Sequence, residues 1–120
     1  MKKTGVCHII SPMRLYGKEK WLLAFMKYLD RDRFRPSVVM LTRARDTALA
    51  AELGRLNIPA YTVRTKGKFS REPVQRITSL IKKENIEIVH SHDYKADLAA
   101  LLACRKAGIR SISTPHGWNR

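Results

Sequence analysis

Two short β-rich runs end in imidazoles. Ile88-Val89-His90-Ser91-His92-Asp93 carries His90 and His92, and Ser113-Thr114-Pro115-His116-Gly117 carries His116 just past its strand. An imidazole in such a place can hydrogen-bond a sugar hydroxyl or stabilise charge that develops in a transition state. An ordinary exposed histidine would account for His116 equally well. His90 and His92 are expected to turn to opposite sides, His90 packed within the fold and His92 facing a cleft. With no third ligand near this pair in the sequence, no metal site is expected.

A second set of groups follows the first apolar run: Ser11, Arg14, Gly17, Lys18, Glu19 and Lys20. Gly17 opens a helical segment, where a missing side chain lets a ligand approach the backbone and the unpaired N–H groups attract an anion. Glu19 suits the first turn of that helix whether or not it touches a substrate. Lys95 and Thr114 lie beside the histidine-bearing segments, and Gly117 follows His116. Arg43, Arg45, Arg64, Lys66, Lys68 and Arg71 follow two further strands. With Arg14, they would gather positive charge along one edge of a sheet and concentrate an anionic ligand or membrane surface there. No G-x-G-x-x-G or P-loop occurs, which argues against a dinucleotide or P-loop enzyme.

The elements that must hold these groups alternate between strand and helix. Strands are expected at Gly5–Ile10, Phe34–Leu41, Ala60–Val63, Ile86–His90 and Arg110–Thr114. Between them, Gly17–Leu29 is a helix whose apolar stripe is Trp21, Leu22, Phe25, Tyr28 and Leu29. The next helix carries Leu49, Leu53 and Leu56, with Asp46 as its cap and Asn57 as its stop. Ser70 caps a third helix, whose stripe is Val74, Ile77, Leu80 and Ile81 and which stops at Asn85. Asp93 caps a fourth that ends at Gly108. Strand–helix alternation with short connections predicts an α/β, Rossmann-like, doubly wound parallel sheet of order 3-2-1-4-5. In such a sheet ligands bind at the carboxyl ends of the strands, where the order reverses between the first and fourth.

The 120 residues fit one domain, and a hydrophobic share of 44% is that of a folded chain. No run reaches the roughly 18 apolar residues of a membrane span. Cys7 and Cys104 read as buried free thiols, which points to a reducing cytoplasm. The net charge of +14 implies phosphate-bearing partners of some kind, or a basic half of a larger protein.

Three segments, taken in order, resemble the N-terminal domain of the glycosyltransferase family 4 enzymes, which is one half of a GT-B fold. Tyr16-Gly17-Lys18-Glu19-Lys20-Trp21-Leu22 is similar to the family's Gly-Gly-x-Glu segment. Ile88–Asp93 is similar to its strand-four ending, and Ser113–Gly117 to its Thr-x-His-Gly. The resemblance implies a retaining transfer of sugar from a nucleotide-sugar donor, the co-substrate, to an acceptor held by this domain, with neither metal nor other cofactor. Gly17 would lie near the donor phosphates, His116 would contact the donor sugar as the catalytic residue, and His92 and Asp93 would line the acceptor side. Tyr16 departs from the family's first glycine and would narrow that site. The family's paired glutamates, seven residues apart, belong to a second domain and are not found here. On this reading residues 1–120 are a single acceptor-side domain, inactive without its donor-binding partner. Its acceptor would be a phosphorylated or lipid-linked glycan of the cell envelope, reached from the cytoplasm or the inner membrane surface.

Two other classes remain open. A basic α/β module for nucleic acid is permitted by the charge, although the basic loops lack interleaved aromatics. A stand-alone subunit completed by a separate donor-binding chain would leave an interdomain face exposed, through which copies could self-associate.

Overall fold

The structure, a computed structural model, describes residues 2–12, 15, 17–44, 47–65 and 71–114. Among these residues nine elements alternate: β1 (Thr4–Ile10), α1 (Gly17–Tyr28), β2 (Phe34–Leu41), α2 (Ala48–Arg55), β3 (Ala60–Val63), α3 (Glu72–Lys83), β4 (Ile86–Ser91), α4 (Tyr94–Ala107) and β5 (Arg110–Ser113). The strands form one sheet of order β3-β2-β1-β4-β5, and every pairing is parallel. This is the expected Rossmann-like α/β arrangement, and its order reverses between β1 and β4.

Period-2 alternation along the strands divides the core into two layers. Cys7 and Ile9 of β1, Val39 and Leu41 of β2 and Val89 of β4 pack towards α3 and α4, against Ile77, Ile81, Ala96, Ala100 and Cys104. Their neighbours Ile10, Val38 and Met40 pack towards α1 and α2, against Leu22, Met26, Leu49 and Leu53. A sheet buried on both faces explains why the second half of β2, residues 38–41, is an unbroken apolar run.

The helix ends follow local chemistry. Asn57 and Asn85 take left-handed φ of 57° and 52° where the sequence predicts stops, and Gly108 closes α4 at φ 73°. Asp93 caps α4 through Ala96 N at 2.9 Å. Two expected caps differ. Thr47 caps α2 through Ala50 N at 3.0 Å, with a β-region backbone that frees its hydroxyl to accept; Asp46 lies outside the described residues. Arg71 occupies the cap position of α3 with no side-chain cap bond, and Pro73 in the first turn removes one donor that would need it; Ser70 lies outside the described residues.

The apolar stripe of α1 is rotated from the expected one. Leu22 and Met26 are buried, whereas Trp21 and Phe25 are each 39% exposed and Tyr28 is 80% exposed. At 100° per residue the stripes 22/26/29 and 21/25/28 are adjacent, and the narrower aliphatic side chains take the sheet. Apolar residues are also exposed on α4 and β5, at Leu98, Leu101, Leu102 and Ile112.

Candidate functional site

At the carboxyl ends of β1 and β4, a carboxylate bridges the two sides of the switch point. Asp93 Oδ2 accepts the main-chain N–H of Ser11 at 2.6 Å and the Lys18 ammonium at 3.3 Å. Lys18 Nζ also donates to the Ser11 carbonyl at 2.6 Å and lies 3.8 Å from Glu19, which is fully buried. Lys18, Glu19 and Asp93 are thus brought together. Their polar groups, however, hold the β1 loop and α1 against the start of α4. That network fixes the position of the α1 N-terminus, whose first residue, Gly17, is exposed, with no atom of the described residues within 4 Å of where a Cβ would stand.

One helical turn beyond Asp93, Asp97 ties down the next strand ends. Its Oδ1 accepts from Ser91 Oγ at 2.6 Å and from Ser113 Oγ at 2.8 Å. Asp97 escaped the sequence reading, which named Ser11 only as one of the loop groups after the first strand. The available signal was the four-residue spacing of two aspartates at the start of a helix that follows a strand.

The imidazoles differ most from expectation. His8 of β1 and His90 of β4 are register partners, and side chains two apart on a strand share a face. His90 and His92 therefore lie on one side, towards α1, with ring centroids 4.3 Å apart; the expectation of opposite sides is corrected. His92 does not face an open cleft but is fully buried. Its Nε2 lies 2.8 Å from His8 Nδ1, and its ring centroid lies 5.3 Å from that of Trp21. Burial, reinforced by nearby His90, pushes the His8 imidazole down to about 3, so it is neutral at physiological pH. Half-buried His90 hydrogen-bonds Thr114 Oγ1 through Nε2, and Thr114 N donates to Ser91 O at 3.0 Å.

Among the described cationic residues, Arg43, Arg64 and Arg71 are exposed, and Arg43 Nε reaches Thr65 O at 3.2 Å. Arg43 and Arg64 follow β2 and β3, on the side of β1 away from β4, so they flank the bridge rather than enter it. Lys95 is exposed in the first turn of α4. Arg14, Arg45, Lys66, Lys68, His116 and Gly117 lie outside the described residues.

Comparison with known proteins agrees with the geometry. The model of Glycosyltransferase Family 4 matches residues 16–120. A glycosyltransferase structure from Rickettsia africae superimposes with a TM-score of 0.83 at 20% identity, covering 100% of this chain and 31% of that one. The apo lipopolysaccharide outer core galactosyltransferase WaaB gives 0.79 at 18% identity, covering 94% and 33%. MurG of Acinetobacter baumannii gives 0.71 at 17%, covering 93% and 35%. The chain thus spans about a third of the length of these structures. No curated protein sequence matches it. No described helix is long and apolar enough to cross a membrane.

Proposed function

The chain belongs to Glycosyltransferase Family 4, and from that premise we propose that it is the acceptor-side domain of a retaining sugar transferase. The donor is a nucleotide sugar, and the acceptor is a phosphorylated or lipid-linked glycan of the cell envelope. In the reaction the bond from the anomeric carbon to the diphosphate oxygen breaks, the acceptor oxygen bonds to that carbon, and the acceptor hydroxyl gives its proton to the departing diphosphate. The nucleoside diphosphate leaves with the electron pair.

The observation that carries this reading is the bridge of Asp93 to Ser11 and Lys18. It holds the N-terminus of α1 rigidly at the switch point of the sheet, where a doubly wound fold binds ligands. With Gly17 open there, main-chain N–H groups can meet the leaving diphosphate and offset its charge without reorganising. His116 is the group assigned to the donor sugar and the transition state. Lys95 and Thr114 border the acceptor, and Arg43, Arg64 and Arg71 draw an anionic acceptor or the membrane that carries it. Related structures include the galactosyltransferase WaaB and the Anabaena protein HepE in complex with UDP, which supports a uridine nucleotide as the first donor to try. The donor-binding residues come from a second domain, so this chain alone turns over no sugar.

The test is sugar-nucleotide hydrolysis and transfer by the 120-residue chain beside a protein joined to a donor-binding domain. Activity confined to the two-domain protein, and reduced at least about a hundredfold in His116→Ala, is the expected result for a transition-state contact. Transfer by the isolated chain, or full activity in the variant, would overturn the assignment.

A further inference from the structure

Among the described residues, His8, His90 and His92 form the one group of histidine, cysteine and carboxylate donors close enough to share an ion, each offering a ring nitrogen within 4.8 Å of the others. We propose that these three imidazoles are a binding site for a divalent transition-metal ion, Zn²⁺ foremost, at the carboxyl edge of β1 and β4. The inference stands apart from the sugar-transfer reading, because it rests on the three side chains alone.

The argument begins with register. Parallel pairing sets His8 opposite His90, and a further step of two residues along the chain puts His92 on the same face. Because β1 and β4 are the central strands, the backbones carrying these ligands are held from both sides. Zn–N bonds of about 2.0–2.1 Å place tetrahedral ligand atoms about 3.4 Å apart. The observed 2.8 Å between His8 Nδ1 and His92 Nε2 and the 4.8 Å limit bracket that spacing, so modest ring rotations reach it.

The surroundings suit such a site. The Nε2 of buried His8 has no hydrogen-bond partner among the described residues, so it can carry that ring's proton when Nδ1 binds an ion. Thr114 bonds the Nε2 of His90, the kind of outer contact that orients a metal-bound imidazole. Phe25 and Trp21 cover the group from α1, with ring centroids 5.3 Å from His8 and His92 respectively. Half-buried His90 offers the entry path. Three neutral imidazoles leave a fourth position for water or a ligand oxygen. The ion displaces the proton shared by His8 and His92, which moves to another ring nitrogen, so the net protonation is unchanged.

The test uses the untagged 120-residue chain, stripped with chelator and titrated with ZnCl₂, and with CoCl₂ as a spectroscopic reporter. The expected result is one ion per chain, a raised melting temperature, and ring ¹⁵N shifts that move for His8, His90 and His92 together. Thr114→Val, which leaves every ligand in place, should weaken binding about tenfold, and His90→Gln by more, since losing even an outer contact of a ligand costs about 10–100-fold. No saturable binding, or shifts confined to His116, would overturn the proposal. The trio would then be a hydrogen-bonded packing cluster. The wild-type ring shifts decide the matter even if a variant fails to fold.

Discussion

Asp93 and Ser11, 82 residues apart in the chain, are joined by a 2.6 Å hydrogen bond in which the aspartate accepts the main-chain N–H of the β1 loop. The same side chain uses its other oxygen to cap α4 through Ala96. One residue thus starts a helix and fixes the loop on the opposite side of the switch point. Its two oxygens do different work, so substitutions can separate them.

Asp93→Ala should lose both roles. A lost N-cap costs about 0.5–2 kcal/mol, and an unsatisfied buried donor about 1–3 kcal/mol. Because this site is partly hydrated, we expect a total of about 2–3 kcal/mol in urea denaturation. Asp93→Asn keeps one acceptor oxygen and should lose about half as much. Equal losses in the two variants would show that the charge next to Lys18, rather than the hydrogen-bond geometry, holds the bridge.

Gly5 is required by its neighbours. A Cβ there would stand 2.7 Å from Arg35 Nη2 and 2.8 Å from the Asn85 carbonyl oxygen. The guanidinium can move aside, but the carbonyl cannot easily do so, because Asn85 is held at φ 52° immediately before β4. Gly5→Ala should cost about 1–3 kcal/mol as an overpacked site. Adding Arg35→Ala should recover little of it. Full recovery in the double variant would mean that the arginine was the obstacle.

Much of this architecture is legible in the sequence because it is local. The strand–helix alternation, the Asp93 cap, the asparagine stops and Gly108 each follow from a few adjacent residues, and the sheet order follows from the handedness of crossovers. The histidine trio was not legible in the same way. His90 and His92 share a face by strand period alone, and reading them as opposed missed that. His8, however, joins them only through the parallel register of β1 and β4, which no local pattern announces. The stripe of α1 was misjudged for a related reason. Aromatic residues raise the apolar score of a helix face, yet the space above the sheet admits Leu22 and Met26 and leaves Trp21 and Phe25 half-covered. His116 was read from sequence similarity and lies outside the described residues.

The two thiols should resist modification and weaken the fold at high pH. Burial raises Cys7 from 9.0 to about 12, partly offset by a hydrogen bond with Ser37, and raises Cys104 to about 11. Well below pH 9 both are neutral whether the chain is folded or not, and they contribute no pH dependence there. As pH rises from 9 towards 12 the unfolded chain releases protons that the fold retains, so stability falls. Iodoacetamide at pH 8 should label neither thiol in the native chain and both in denaturant. Cys7→Ala should melt earlier at neutral pH but decline less steeply between pH 9 and 11. A steeper decline would reverse the sign argued here.

Gly17 and Gly108 make a matched pair at opposite ends of helices. Gly108 stands at φ 73° and donates its N–H to Cys104 O at 2.8 Å, so alanine there must adopt a left-handed backbone at a cost of about 1–2 kcal/mol. Among the described residues nothing occupies the place where a Cβ of Gly17 would go, and alanine at the first helical position should leave the melting temperature unchanged or slightly raised. If the open space at Gly17 is where the diphosphate of a donor approaches the backbone, a methyl group there obstructs the ligand without disturbing the fold. Gly17→Ala in the two-domain enzyme should then lower kcat/KM for transfer at least about tenfold while melting like the parent, a barrier increase of about 1.4 kcal/mol. Unchanged kcat/KM with unchanged melting would remove the α1 N-terminus from the donor site and leave the Asp93 bridge as a structural feature alone.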